Sequence, residues 1–183
     1  MSRALAVLLA AVALLAVNPA RAQGMFNFFG GGFGSSSPIP RELVSFQGRY
    51  APGTIVISTS ERRLYLVLRN GQALKYGIGV GREGFSWSGS HRITAKKEWP
   101  GWTPPSQMLA RRPDLPRYLP GGIQNPLGAR AMYLGSTLYR IHGSNEPETI
   151  GHAVSSGCIR MTNEDVVDLY NRVSVGTMVV VGN

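Results

Sequence analysis

The sequence predicts a mostly β, single-domain body. One short helix lies in its C-terminal half, and long loops frame a cleft. Three observations predict it. Residues 54–57, 64–68 and 73–80 are apolar or β-branched runs, and Asn70-Gly71 between the last two marks a tight hairpin. Only one strong helical pattern appears: Val166, Leu169, Tyr170 and Val173 recur at helical spacing. Residues 99–105 and 113–128 are so rich in proline and glycine that neither helix nor strand can run through them.

The elements follow in order. Residues 1–22 read as a secretory signal. Arg3 gives a positive start, residues 4–17 are apolar but short for a membrane span, and Ala20-Arg21-Ala22 fits a cleavage site. An uncleaved anchor is the alternative; no cysteine follows the apolar run to make a lipoprotein signal. Residues 23–49 comprise a Gly/Ser/Phe-rich tether and a lead-in, with runs of glycine and serine that resist ordering. Its phenylalanines could instead stick to a partner or fold back. The body is expected over 50–183. There, 54–57, 64–68 and 73–80 form an antiparallel meander, with 90–97 a further strand. Residues 81–87 form a glycine-punctuated loop at the mouth of a site, and 106–112 allow a short helix between prolines. Residues 129–134 and 137–141 are strands around Gly135-Ser136, and 144–154 is a crossing loop. Thr162 caps the main helix, with Glu164 and Asp165 in its first turn. Residues 177–181 are a last, buried strand.

The chain has 183 residues, of which 43% are hydrophobic and 16% charged, so a packed globular body is expected. The net charge of +9 suits an acidic polymer, an anionic membrane face or nucleic acid. A basic surface with no partner explains it equally well. No Lys/Arg cluster with interleaved aromatics appears, so nucleic acid is set aside. A lone cysteine and scattered histidines lack any zinc spacing, and no cofactor or metal is expected.

That one cysteine, Cys158, sits in Ser155-Ser156-Gly157-Cys158-Ile159-Arg160, sixteen residues after His142. A thiol attacks as thiolate, and an imidazole can take its proton. Gly157 allows a sharp turn that would aim its own amide and that of Cys158 at an oxyanion. Arg160 either supports the thiolate, binds a substrate carboxylate or makes a surface ion pair. Trp99 and Trp102 line a groove or cap the core edge. Ser155 and Ser156 bond to the site or fill a turn. His91 and His152 read as structural and loop residues. Glu146 and Glu148 follow His142 closely, but neither stands out as the group that holds the imidazole.

The His-Gly pair, the gap and the Ser-x-Gly-Cys-Ile-Arg-Met run resemble the signature of the L,D-transpeptidase catalytic domain, the YkuD family. Residues 60–84, 99–105, 125–128 and 163–181 are also similar to its periplasmic members, so the likeness covers roughly residues 50–181. One departure is Ser156, where many members carry a histidine. The resemblance implies a YkuD-type, β-sandwich-like fold with Cys158 as nucleophile, His142 as proton acceptor and donor, and the Gly143 carbonyl orienting the imidazole. Ser144, Ser155, Ser156, Trp99 and Trp102 are the candidate substrate contacts. It implies attack on the L-centre of the third residue in a peptidoglycan stem tetrapeptide, with loss of D-alanine. The acceptor is an amine of another stem or an outer-membrane protein; water as acceptor gives a carboxypeptidase. A non-catalytic wall-binding module is the remaining alternative. A monomer in the periplasm, without stable membrane insertion, is expected.

Overall fold

The computed structural model describes residues 37–182. The segment read as a secretory signal and most of the expected tether lie outside the described residues. Within them, the domain is built on a nine-stranded sheet of order β1-β4-β3-β2-β11-β6-β7-β8-β10, with β5 and β9 pairing separately. Among the described residues, no helix is long and apolar enough to cross a membrane.

The meander forms as the alternation predicts. β2 (Ile55–Ser58), β3 (Arg63–Val67) and β4 (Gln72–Gly77) are consecutive antiparallel strands. The turn between β3 and β4 holds Asn70 at φ 61° and Gly71 at φ 67°, the left-handed pair that a type I′ hairpin needs. The lead-in, left open by its sequence, contains an edge strand: β1 (Glu42–Ser45) runs antiparallel to β4. The ordered sheet therefore begins before residue 50. β5 is Val80–Gly81, β6 Gly89–Glu98, β7 Arg130–Leu134 and β8 Arg140–His142; β9 is Ala153–Ser155 and β10 Ile159–Arg160. β11 (Met178–Gly182) lies at the centre, parallel to β2 and antiparallel to β6.

At its far edge the sheet turns back on its beginning. Gly79, just past β4, exchanges both backbone hydrogen bonds with Arg160 on β10, each 2.9 Å. This folding-over is the sandwich-like aspect of the domain. One apolar cluster fills the interior, with Ile55, Ile57, Leu64 and Tyr76 meeting Met132, Leu134, Ile141 and Ile159.

Among the described residues there are two α-helices and a single 3₁₀ turn at Pro147–Thr149. α1 (Ser106–Arg111) is the short helix the flanking prolines allowed. α2 (Asn163–Arg172) buries Val166 and Leu169, and Thr162 Oγ1 accepts from the Asp165 amide as its N-cap. At the other end Lys96 donates to the carbonyls of Tyr170 and Val173, a cation on orphan acceptors. Arg41, just before β1, pairs with Asp168 of α2 at 3.1 Å, so the lead-in is tied to the helix.

Candidate active site

Strand register explains how sixteen intervening residues disappear. β10 runs parallel to β8, with Ile159 opposite Ile141 and Arg160 opposite His142. Alternation sends Ile141 and Ile159 into the core, at 0% and 1% exposure. The same alternation puts Arg140, His142, Cys158 and Arg160 on the other face. All four line one cleft of about 370 Å³, a size suited to a small ligand or a peptide end. Residues of α1, the 81–87 loop and the long proline-rich loop also line it.

The backbone around Cys158 is held from three directions. Trp87 Nε1 donates to the Gly157 carbonyl at 2.7 Å, while its ring stacks on Tyr139 at 4.4 Å and 3°. Gly157 has φ 104°, and a Cβ there would come within 2.6 Å of Tyr139 Cε1, so only glycine fits. Ser155 Oγ donates to the Cys158 carbonyl at 2.6 Å and accepts from the Gly157 amide at 3.1 Å. That last bond corrects the sequence reading of Gly157. Its amide is directed at Ser155, not at a developing oxyanion. Ser155 is a buried bracket that also lines the cleft; Ser156 lines the cleft and its Oγ accepts weakly from Arg82 at 3.4 Å.

His142 is almost fully buried, and its Nδ1 lies 2.6 Å from the Gly143 carbonyl. A carbonyl can only accept, so Nδ1 carries the proton and Nε2 is left as the base. Gly143 is packed where no side chain could stand, against Asn163 Oδ1. Asn163 in turn accepts from the Ala129 amide at 2.8 Å. The first residue of α2 thus holds the turn after the histidine.

Electrostatics set the resting state. Burial pushes the Cys158 thiol up; the charge and hydrogen bonds of Arg140 oppose this first, and Arg160 adds to them. Burial pulls the His142 imidazole down to about 3, against the opposing Gly143 hydrogen bond and with help from Arg160 and Arg140. Both shifts favour a neutral thiol beside a neutral imidazole. The thiol proton then moves to the imidazole as the sulfur attacks. Cys158 remains partly exposed, open to the cleft.

Three other sequence expectations change. Trp102 lines the cleft but Trp99 does not; its amide donates to the Ala129 carbonyl, at φ 40°, within the loop. Ser144 is buried and accepts from the Glu146 amide at 2.9 Å, so it shapes the loop rather than facing a substrate. Arg160 Nη1 lies 2.9 Å from Glu146 Oε2, the ion-pair alternative. His152 is exposed on its loop, and His91 packs edge-on to Trp87 at 5.4 Å, so neither joins the cleft. Sequence reasoning missed Arg140, Trp87 and Asn163. Arg140 was legible, because it stands two residues before His142 on one strand and so shares its face.

The sequence model of the family described as YkuD, L,D-transpeptidase catalytic domain, matches residues 52–181. The chain belongs to that family. The probable L,D-transpeptidase YbiS of Escherichia coli K12 is 39% identical over 134 residues, covering 68% of this chain and 43% of that protein. The chain thus spans less than half the length of that curated relative. A solved L,D-transpeptidase from Mycobacterium smegmatis shares the fold at TM-score 0.59 and 18% identity, covering 73% of this chain and 59% of that one. A Brucella melitensis protein described as a probable carnitine operon oxidoreductase is 48% identical at TM-score 0.52, covering 75% of this chain and 89% of that one. Membership in the family accounts for the shared fold; the oxidoreductase description is said of the Brucella protein alone.

Proposed function

We propose that this family member is a cysteine-dependent peptidoglycan L,D-transpeptidase. The observation that carries the reading is the register of β8 and β10, which sets Cys158 and His142 on one face at the floor of one cleft. His142 Nε2 takes the thiol proton as the sulfur attacks the L-centre carbonyl of the third stem residue. The tetrahedral oxyanion is met by the Cys158 amide, since the Gly157 amide is committed to Ser155. Collapse breaks the C–N bond, and the imidazolium returns its proton to the leaving D-alanine amine. A thioester remains on Cys158. An amine of a second stem, or of an outer-membrane protein, then attacks it while His142 takes the amine's proton, and the thiol is regenerated.

The cleft suits an acidic stem. Its lining residues include Arg111, Arg140 and Arg160 but no carboxylate, a field that favours anionic peptides. Arg160, tied to Glu146, steadies the loop that follows His142. Trp102 and Ser156 contact the stem at the rim. The protein works as a monomer in the periplasm, reached through a cleaved segment over residues 1–22; the mass of the mature protein recovered from the periplasm tests that.

The decisive experiment incubates the protein with disaccharide-tetrapeptide and reads the product masses, with Cys158→Ala beside it. Dimer with loss of D-alanine is expected, absent in the variant. Tripeptide alone would make it an L,D-carboxypeptidase, and unchanged substrate would point to a wall-binding module.

A further inference from the structure

Two arginines share the sheet face with Cys158 and His142, and they are not equivalent. Arg160 is held by the Glu146 carboxylate at 2.9 Å. Arg140 makes no ion pair with a carboxylate among the described residues, and its Nε is buried with no hydrogen-bond partner. Its guanidinium lies 5.1 Å from the centre of the Tyr133 ring, which fixes the plane without neutralising the charge. In the parallel register that sets Ile141 opposite Ile159, Arg140 and Cys158 are the residues just before that pair, and both line the cleft; the charge and hydrogen bonds of Arg140 oppose the upward push of burial on the thiol. The Leu138 carbonyl accepts from the thiol at 3.7 Å.

A guanidinium is charged at any working pH. Set against a thiol and lacking a counter-ion, it occupies a place where negative charge is missing. We propose that Arg140 is the catalytic cation that carries the charge of the Cys158 thiolate, the role the sequence pattern offered to Arg160. In the step it serves, the S–H bond breaks, the proton passes to His142 Nε2, and the electron pair stays on sulfur facing the guanidinium. Glu146 meanwhile draws Arg160 away from that task. The charged and titratable groups that line the cleft with the sulfur are His142 and Arg140 from β8, Tyr139 just before it, Arg160 from β10 and Arg111 from α1. With no carboxylate lining the cleft, none competes for Arg140.

The inference rests on Cys158 being the reactive group of the proposed function, but its test reads the thiol without any turnover. The full chain is alkylated with iodoacetamide across a range of pH, and the rate is followed by intact mass for wild type, Arg140→Gln, Arg140→Lys and Arg160→Gln. An opposite charge close to an ionising group moves its midpoint by about one unit or more. Arg140→Gln is therefore expected to raise the midpoint by about one unit and slow alkylation at neutral pH about tenfold, with the high-pH plateau kept. Arg140→Lys keeps the charge and holds the midpoint near wild type, which also serves if the glutamine variant does not fold. Arg160→Gln moves it less. An unchanged profile in Arg140→Gln, a lysine variant displaced as far upward as the glutamine variant should be, or an equal shift in Arg160→Gln overturns the proposal. If alkylation obeys it while the tetrapeptide stays unchanged, the function fails and the cation's role stands.

Discussion

Ile141 and Ile159 face each other across two parallel strands, each at most 1% exposed. This pair is the pivot of the site. It locks the register, and a slip of one residue would turn Cys158 toward the core and Ile159 toward the cleft. Replacing Ile159 by Val removes one buried methylene and is expected to cost about 0.5–1.5 kcal/mol in chemical denaturation. Activity per folded molecule should stay close to wild type, because the alternation is kept.

Ser155→Ala tests the bracket under the nucleophile. The change removes the acceptor of the Gly157 amide and the donor to the Cys158 carbonyl. A buried N–H left unpaired costs about 1–3 kcal/mol. A melting temperature lower by several degrees and a lower rate are expected; Ser156→Ala, at a partly exposed position, should leave the melting temperature almost unmoved.

Asn163 offers a sharper pair of variants. Its Oδ1 accepts from the Ala129 amide beside Gly143. Asn163→Ala should lose about 1–3 kcal/mol of stability and impair turnover. Asn163→Asp keeps an acceptor oxygen and adds a charge favoured at the start of α2, so it should be much milder. Equal losses in the two would show that the hydrogen bond is not what matters.

Acid sensitivity follows from His142. Its folded value is depressed to about 3, whereas an unfolded histidine titrates near 6.5. Above the unfolded value neither state binds the proton, and the contribution is fully present. As pH falls from there toward the folded value only the unfolded chain is protonated, so stability is lost by up to about 1.4 kcal/mol per pH unit. Denaturant midpoints between pH 6 and 4 should fall less steeply in His142→Gln, which has no proton to take up.

Trp87→Phe keeps a ring to stack on Tyr139 and removes only the donor to the Gly157 carbonyl. A loss of about 1 kcal/mol is expected in denaturation. A larger fall in alkylation of Cys158 than in stability would place the tryptophan among the groups that position the sulfur.

Much of this was legible in the chain. Asn70-Gly71 announced its hairpin because few other pairs accept two left-handed residues, and Thr162 announced α2 through its cap. The His142–Gly143 and Gly157–Cys158 pairs pointed to the cleft. What stayed hidden depends on partners far away in sequence. β1 has too little apolar content to reveal that it pairs with β4. The Gly157 amide looked free until Ser155 was seen to claim it. Arg160 and Arg140 read alike as arginines, and only Glu146 tells them apart. The resting protonation of Cys158 and His142 is a matter of burial, which short-range pattern does not report.

The central place of β11 carries a consequence for how the molecule is made. Val179 must find Ile55, added to the polypeptide long before it. Until residues 178–182 emerge, β2 and β6 each present a bare row of amides and carbonyls toward the gap between them. Such non-local closure is slow, and open edges invite pairing with other copies. A nascent chain of this protein is therefore an adhesive object until that strand emerges, and yields at high expression should depend on what shields it during that interval.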